Sequence, residues 1–293
     1  MMAATSAGTR LGDLLPGLVA AVSFSIADIL LKVVFSSGMD VLSLASLRGV
    51  IVVVFFMVWL RVQPPRVPHS KRERLIALGI GVLFSVTMFG LLQSVALLPV
   101  SIAILAYFIY PLLTGLAGAA TGVDRVGWRA LLAALAAFIG LGLMLGFNLD
   151  ELAPLGLASA FIAAVARVVT LLLTRAYLNR TDARLTTWYS MVPSTALYLV
   201  ALAVLGTYSL PASGVGWAAF AGVTITTTLS TLMIYISASR IGPFRTALIM
   251  NLEPLLTTLF SMLLLGETLT LIQGAGAGIM IVYLVAFQLM RPR

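Results

Sequence analysis

The chain has no cysteine and a single histidine, His69. Without thiols there is no disulfide framework and no thiol nucleophile, and a Cys/His metal cluster is excluded. Charge is scarce as well. Asp, Glu, Lys and Arg make up 10% of the 293 residues, against about 25% in soluble domains. Such a chain cannot build an ordinary solvated surface. What it has instead is 61% hydrophobic residues and a mean hydropathy of +1.10, so lipid is the expected solvent. The 18 basic residues outnumber the 10 acidic ones, giving a net charge of +8. That excess suits either a nucleic-acid partner or basic loops at a membrane surface. The positions of the charges decide between the two.

A helix crossing about 30 Å of hydrocarbon needs roughly 20 largely apolar residues. Ten segments qualify, at 15–35, 41–60, 75–97, 102–120, 128–147, 153–174, 186–206, 214–237, 245–265 and 270–290. Pro99 separates the third from the fourth, because proline lacks a donor and restricts its predecessor. With a cytoplasmic N-terminus, 15 of the 18 basic residues fall on the inner side, among them Arg61, Arg66, Lys71, Arg72, Arg125, Arg175, Arg240 and Arg293. The outer connections SSGMD, LLPVS, FNLDEL, GTYSLPAS and GETLT hold no Lys or Arg. This is the positive-inside pattern, and a count of nine or eleven would break it. It places both termini in the cytoplasm and accounts for the positive charge without nucleic acid. Asp28 and Lys32 interrupt the first segment, so a retained helix is expected rather than a signal peptide.

The chain also repeats. IYPLLTGLAGAATG at 109–122 is echoed by LEPLLTTLFSMLLLG at 252–266, and Pro111 and Pro254 stand 143 residues apart. ILLKVVF at 29–35 and LLTRAYL at 172–178 share that offset, so Lys32 matches Arg175. The halves divide as 1–148 and 149–293. Five spans is an odd number, so the second half starts on the opposite side of the membrane. The expected fold is therefore an all-α integral membrane protein of ten transmembrane helices in two inverted five-helix repeats. Inverted repeats around a central site are a common transporter design.

Three stretches carry a family likeness: SLASLRG with Arg48 early in the second span, AYFIYPLLTGL in the fourth, and NLEPLLTTLFSMLLLGETLTLIQGAGAGIMI across the last two. On these the chain resembles the EamA branch of the drug/metabolite transporter superfamily over nearly its whole length. The resemblance implies proline-containing fourth and ninth helices and a Gly-Glu turn before the last helix of each repeat. Gly266-Glu267 fits that turn, whereas the first repeat has Gly122-Val123-Asp124. It also implies exporters and importers of amino acids and other metabolites.

Five ionisable residues fall within spans: Asp28, Lys32, Arg48, Arg167 and Glu253. Intramembrane charge is costly and faces a partner or a wet cavity. Asp28 and Lys32, at i and i+4, share a helix face and either neutralise each other or meet substrate. Arg48 either holds packing and gating together or binds a carboxylate. Arg167 either pairs with Glu253 or stands free as an anchor for an anion. Tyr107 and Tyr110 precede Pro111. The run TITTTLSTLMIY holds a stripe of Thr224, Thr228, Thr231 and Tyr235 that lines a pore or glues helices. Asn251 and Glu253 adjoin Pro254. Pro111 and Pro254 are expected to bend their helices. Gly274 and Gly278 form a G-x-x-x-G face for a dimer or for packing inside the bundle.

No cofactor, metal or enzymatic nucleophile–base pair is expected. His69 stands alone in RVQPPRVPHSKRER, a loop suited to anionic headgroups. The expected activity is secondary transport of a small polar or amphipathic metabolite by alternating access, with amino-acid export leading. The alternatives are an importer of another metabolite and a lipid-linked substrate flippase. Partners are the small-molecule substrate and membrane lipid, with proton coupling open. A monomer or weak homodimer in a bacterial inner membrane completes the expectation.

Overall fold

The computed structural model describes residues 11–65, 67–124, 126–146, 153–265 and 270–289. Arg66, Arg125, Gly266, Glu267 and Arg293 therefore lie outside the described residues. Twelve helical segments follow one another: α1 (Leu11–Ser36), α2 (Val41–Val62), α3 (Lys71–Leu97), α4 (Val100–Tyr107), α5 (Tyr110–Thr121), α6 (Trp128–Leu145), α7 (Pro154–Tyr177), α8 (Ala183–Leu205), α9 (Gly214–Ile241), α10 (Pro243–Met250), α11 (Leu252–Leu265) and α12 (Leu271–Leu289). No strand occurs among the described residues. α4 with α5, and α10 with α11, each form one interrupted apolar stretch. Nine stretches among the described residues are long and apolar enough to cross a membrane, and Leu271–Ala286 is a shorter apolar helix.

A single offset of 143 relates the halves throughout. Added to the start of α3, it gives 71 + 143 = 214, the start of α9; added to that of α4, 100 + 143 = 243, the start of α10. α2 with α8, and α6 with α12, correspond in the same way. The two halves interlock. α1 packs along α9 and α3 along α7, so the first helix of each half lies against the third helix of the other. α2 pairs with α8, and α6 with α12.

Helix ends are set by local chemistry. Asp40 caps α2 by accepting from the backbone N–H groups of Leu42 (2.8 Å) and Ser43 (2.9 Å). Ser70 and Glu73 form a reciprocal capping box at α3. Asp182 caps α8 through Arg184 N–H at 2.9 Å, and Ser213 caps α9 through Gly216 N–H at 3.1 Å. Each satisfies an amide that has no partner inside its helix.

Small residues are frequent in the interior, beside larger ones such as Phe56 and Leu141, and large apolar residues cover much of the exterior. Ala20, Ala21, Ala77, Ala137, Ala163 and Ala164 are fully buried, whereas Phe89, Leu132, Ile225 and Leu263 are mostly exposed. Lipid tails are as apolar as leucine, so helices associate here through close backbone approach and hydrogen bonds. The closest approach is at Gly81, where an added Cβ would stand 2.0 Å from the Ser190 carbonyl oxygen. On α12, Gly276 makes a similar contact: its Cβ would lie 2.5 Å from Met144 N and 2.6 Å from the Gly140 carbonyl. The expected pair, Gly274 and Gly278, has nothing within 4 Å. Bundle packing on α12 therefore uses the glycine between them.

His69 is a further departure. It is 2% exposed, with its Nε2 3.0 Å from Thr186 Oγ1, and its ring lies against Tyr189 at 5.7 Å. Within the loop expected to rest on headgroups, this one side chain docks onto the start of α8. Burial lowers the His69 pKa from its ordinary value, against the opposing pull of Glu73 and Asp182.

Candidate functional site

Both interrupted stretches break at equivalent residues. α4 ends at Tyr107 with Phe108 as its C-cap, and α10 ends at Met250 with Asn251 as its C-cap; 108 + 143 = 251. Pro111 and Pro254 follow three residues after each C-cap. Proline supplies no backbone N–H, and these breaks leave polar groups deep in the bundle. Asn251 is buried, and its Oδ1 has no hydrogen-bond partner among the described residues.

A cluster of polar side chains gathers around the breaks. Arg167, from α7, places its guanidinium carbon 5.9 Å from the centre of the Tyr110 ring, a cation–π distance. Its Nε is buried with no partner among the described residues. Tyr107 stacks obliquely on Tyr110, with ring centres 5.3 Å apart. Tyr107, Tyr110, Tyr235 and Glu253 all act electrostatically on Arg167, and Asp28 and Arg167 both act on Glu253. Tyr235 Oη donates to Ser190 Oγ at 3.1 Å. Tyr107 (α4), Tyr110 (α5) and Arg167 (α7) thus meet through their rings and guanidinium, with Glu253 (α11) and Tyr235 (α9) within electrostatic range of Arg167 and Asp28 (α1) within range of Glu253. Asn251 stands two residues before Glu253.

The two expected ion pairs do not close as direct contacts among the described residues. Asp28 accepts from Thr257 Oγ1 at 2.8 Å, and Lys32 Nζ donates to Ser261 Oγ at 3.5 Å. Both therefore reach across to α11, four residues apart on each helix. Arg167 faces tyrosine rings, and its link to Glu253 acts at longer range. The physical reason is that α1 packs on α11, which offers hydroxyls where a lone helix would offer only its own neighbours.

Arg48 and Thr228 stand elsewhere, in a cavity between α2, α3, α8 and α9. The α9 stripe is therefore divided. Thr228 and Thr231 line that cavity, joined by Thr227, whereas Tyr235 donates to Ser190 and lies within electrostatic range of Arg167. Thr224 does not line it and donates to the Phe220 carbonyl at 2.8 Å.

Thr257 and the α8 side chains Ser190, Ser194, Thr195 and Tyr198 escape sequence reasoning. A signal for the α8 wall exists all the same: 187, 191, 194, 195 and 198 follow helical spacing, and four of those five positions are hydroxyl-bearing.

Asp124 accounts for the divergent turn of the first repeat. It stands 143 residues before Glu267, so the acid is in register. Its carboxylate accepts from Phe244 N–H at 3.2 Å, at the start of α10.

A helical bundle of two interlocked repeats, apolar outside and enclosing ionisable groups beside paired helix breaks, defines a membrane transporter of the drug/metabolite transporter superfamily. The EamA-like transporter family matches residues 11–146 and again 154–287, and the chain belongs to that family. A solved structure titled "Crystal structure of protein" superposes with a TM-score of 0.82. The match covers 97% of this chain and 100% of the other, at 17% identity, so the two share the fold. Comparison with curated proteins gives no match.

Proposed function

We propose that the protein is a secondary transporter that exports a small polar or amphipathic metabolite, an amino acid or close relative, by alternating access. Ten helices then span a bacterial inner membrane in two inverted units, 1–148 and 149–293, with both termini in the cytoplasm. The chain moves its cargo without transforming it. Fifteen basic residues on one side and none in the opposite connections support the orientation.

The observation that carries the proposal is that Asp28 and Arg167 both lie within electrostatic range of Glu253, beside the breaks before Pro111 and Pro254. Two carboxylates and one guanidinium in an enclosed site can exchange a proton for cargo, which makes Asp28 and Glu253 the proton-coupling groups. The paired breaks let each half bend about the site. Reconstituted liposomes loaded with individual amino acids, assayed with and without a proton gradient, test this. Gradient-stimulated efflux of at least one amino acid is expected. Uptake of another metabolite class alone, or movement of a lipid-linked probe alone, would replace the proposal with the importer or the flippase.

A further inference from the structure

None of Asp28, Arg167 and Glu253 lines the cavity between α2, α3, α8 and α9. Its walls divide by hydrogen-bonding capacity. On the α2 and α8 side, Arg48 is half-buried and makes no hydrogen bond or ion pair among the described residues. No carboxylate lines the space around it. Tyr198 is its electrostatic neighbour. The Tyr198 hydroxyl, buried close to Ser194 and Ser85, completes no hydrogen bond among the described residues. Ser194 Oγ accepts from Ser85 at 3.1 Å and keeps its own proton to give. Arg48, Tyr198 and Ser194 thus give this wall unspent donors, beside Thr187, whose proton goes to the Ala183 carbonyl at 2.8 Å.

The α9 wall is the reverse. Thr227 donates to the Val223 carbonyl at 2.6 Å, Thr228 to Thr224 at 2.5 Å and Thr231 to Thr227 at 2.8 Å. Their protons are committed to their own helix. A hydroxyl oxygen has two lone pairs, so these three residues offer the cavity acceptors only.

A half-buried guanidinium without a counter-charge among the described residues calls for an anion, and planar carboxylates match its fork. A bare anion would satisfy the α2 and α8 wall but leave the α9 acceptors facing nothing. A molecule with a carboxylate at one end and an ammonium beside it satisfies both. The space between the walls is narrow in this conformation, about 10 Å³, or room for about one water. A larger guest enters by parting α9 from α2, two helices that meet sparsely. We propose that this cavity, so widened, binds a small zwitterion, its carboxylate on Arg48 and Tyr198 and its ammonium on Thr228 and Thr231. The inference rests on the amino-acid proposal above and names the residues that would impose it.

The test is binding to the purified full chain in detergent, read as a ligand-induced rise in unfolding temperature, so it does not depend on flux. The probes are the 20 common L-amino acids, each beside its methyl ester and its counterpart lacking the amine. At least one amino acid is expected to bind, with its ester and amine-free acid each at least tenfold weaker. Arg48→Gln should weaken the amino acid at least tenfold and leave the ester unchanged, while Arg48→Lys keeps part of the affinity. Thr228→Val with Thr231→Val should erase the preference over the amine-free acid. Should Arg48→Gln fail to fold, Tyr198→Phe carries the test, with a several-fold loss expected.

Binding by no amino acid would overturn the inference. So would equal binding of acid and ester, or wild-type affinity in Arg48→Gln and Tyr198→Phe. If amino acids still cross liposomes while Arg48→Gln binds them normally, the cavity assignment falls and the transport proposal stands. Specific binding without any flux would keep the cavity assignment and remove the transport proposal.

Discussion

α3 against α8 and α9 against α2 are the same interface under the 143-residue offset, yet they are built differently. α3 packs along α8 so closely that Gly81 touches the Ser190 carbonyl. α9 meets α2 sparsely, and the cavity holding Arg48 lies beside it. At the position equivalent to Gly81 stands Thr224 (81 + 143 = 224). One half is thus closed where the other is loose. Backbone symmetry between repeats leaves room for asymmetric contacts, and under the proposed alternating access the two interfaces would exchange states. The same contrast holds at the helix breaks, where the proline is shared but Tyr110 in one half corresponds to Glu253 in the other.

The sharpest way to break this comparison is to place the second half's residue in the first. Gly81→Thr puts a Cβ where only 2.0 Å is available. It should destabilise the bundle by about 3 kcal/mol or more, seen as loss of folded protein or a large fall in unfolding temperature. Thr224→Gly, on the loose side, should cost less than about 1 kcal/mol in helix propensity. Equal losses would show that both interfaces are closed.

Charge asymmetry at the breaks gives the next effect. Glu253→Gln should lower gradient-driven flux at least tenfold, roughly 1.4 kcal/mol or more, while folding is retained. Tyr110→Phe, at the equivalent residue, should leave gradient dependence intact and alter affinity alone. Flux that keeps its gradient dependence in Glu253→Gln would remove this carboxylate from coupling.

The loop ties at opposite ends of the bundle differ in their pH response. At one end Asp40 N–H donates to Ser209 Oγ at 2.7 Å, and Ser209 N–H donates to Ser43 Oγ at 3.0 Å. At the other, His69 meets Thr186, which is Ser43's equivalent (43 + 143 = 186). Burial pushes the Asp40 pKa up, but hydrogen bonds from Ser209, Ser43 and Leu42 outweigh it and leave it lowered. Both groups are thus depressed in the folded state, so the unfolded chain takes up their protons first. Each contributes stability above its unfolded value and loses it as pH falls through the folded one. For His69 the loss begins near the ordinary histidine value of about 6.5, and for Asp40 near about 3.9. Unfolding temperature should therefore decline in two steps on acidification, and His69→Gln should remove the upper one. An unchanged upper step would assign it to another group.

The smallest effect is expected on α12. Gly274→Ala and Gly278→Ala meet open space and should shift stability by no more than about 1 kcal/mol, in the stabilising direction expected for Gly→Ala in a helix. Gly276→Ala faces backbone within 3 Å and should destabilise. A concentration-dependent loss of self-association in the first two variants would instead identify the outer pair as a contact between copies.

Much of the architecture is legible in the sequence because it depends on near neighbours in the chain. Apolar runs, the break at Leu98-Pro99 and the PLLT echo are local patterns. The register of the repeat shows in Lys32/Arg175 and Pro111/Pro254, although the Gly-Val-Asp turn hides Asp124 as the mate of Glu267. The partners of charged residues are not legible. Asp28 and Lys32 look like a local pair at i and i+4, yet each reaches α11, because a packed helix presents hydroxyls at shorter range than the side chain four residues away. His69 reads as a surface residue until α8 supplies Thr186.

The sequence by itself determined that the chain lives in lipid, that its halves repeat at an interval of 143, and that a few ionisable groups lie inside apolar helices. Periodicity and composition record those facts directly. Only the tertiary structure decided that Arg167 and Glu253 share a site with Asp28, that Arg48 faces a separate hydroxyl-walled cavity, and that α3 is closed on α8 while α9 stands off α2. Those outcomes depend on which helix faces meet across the bundle, and small differences such as glycine against threonine at 81 and 224 set how closely they do so.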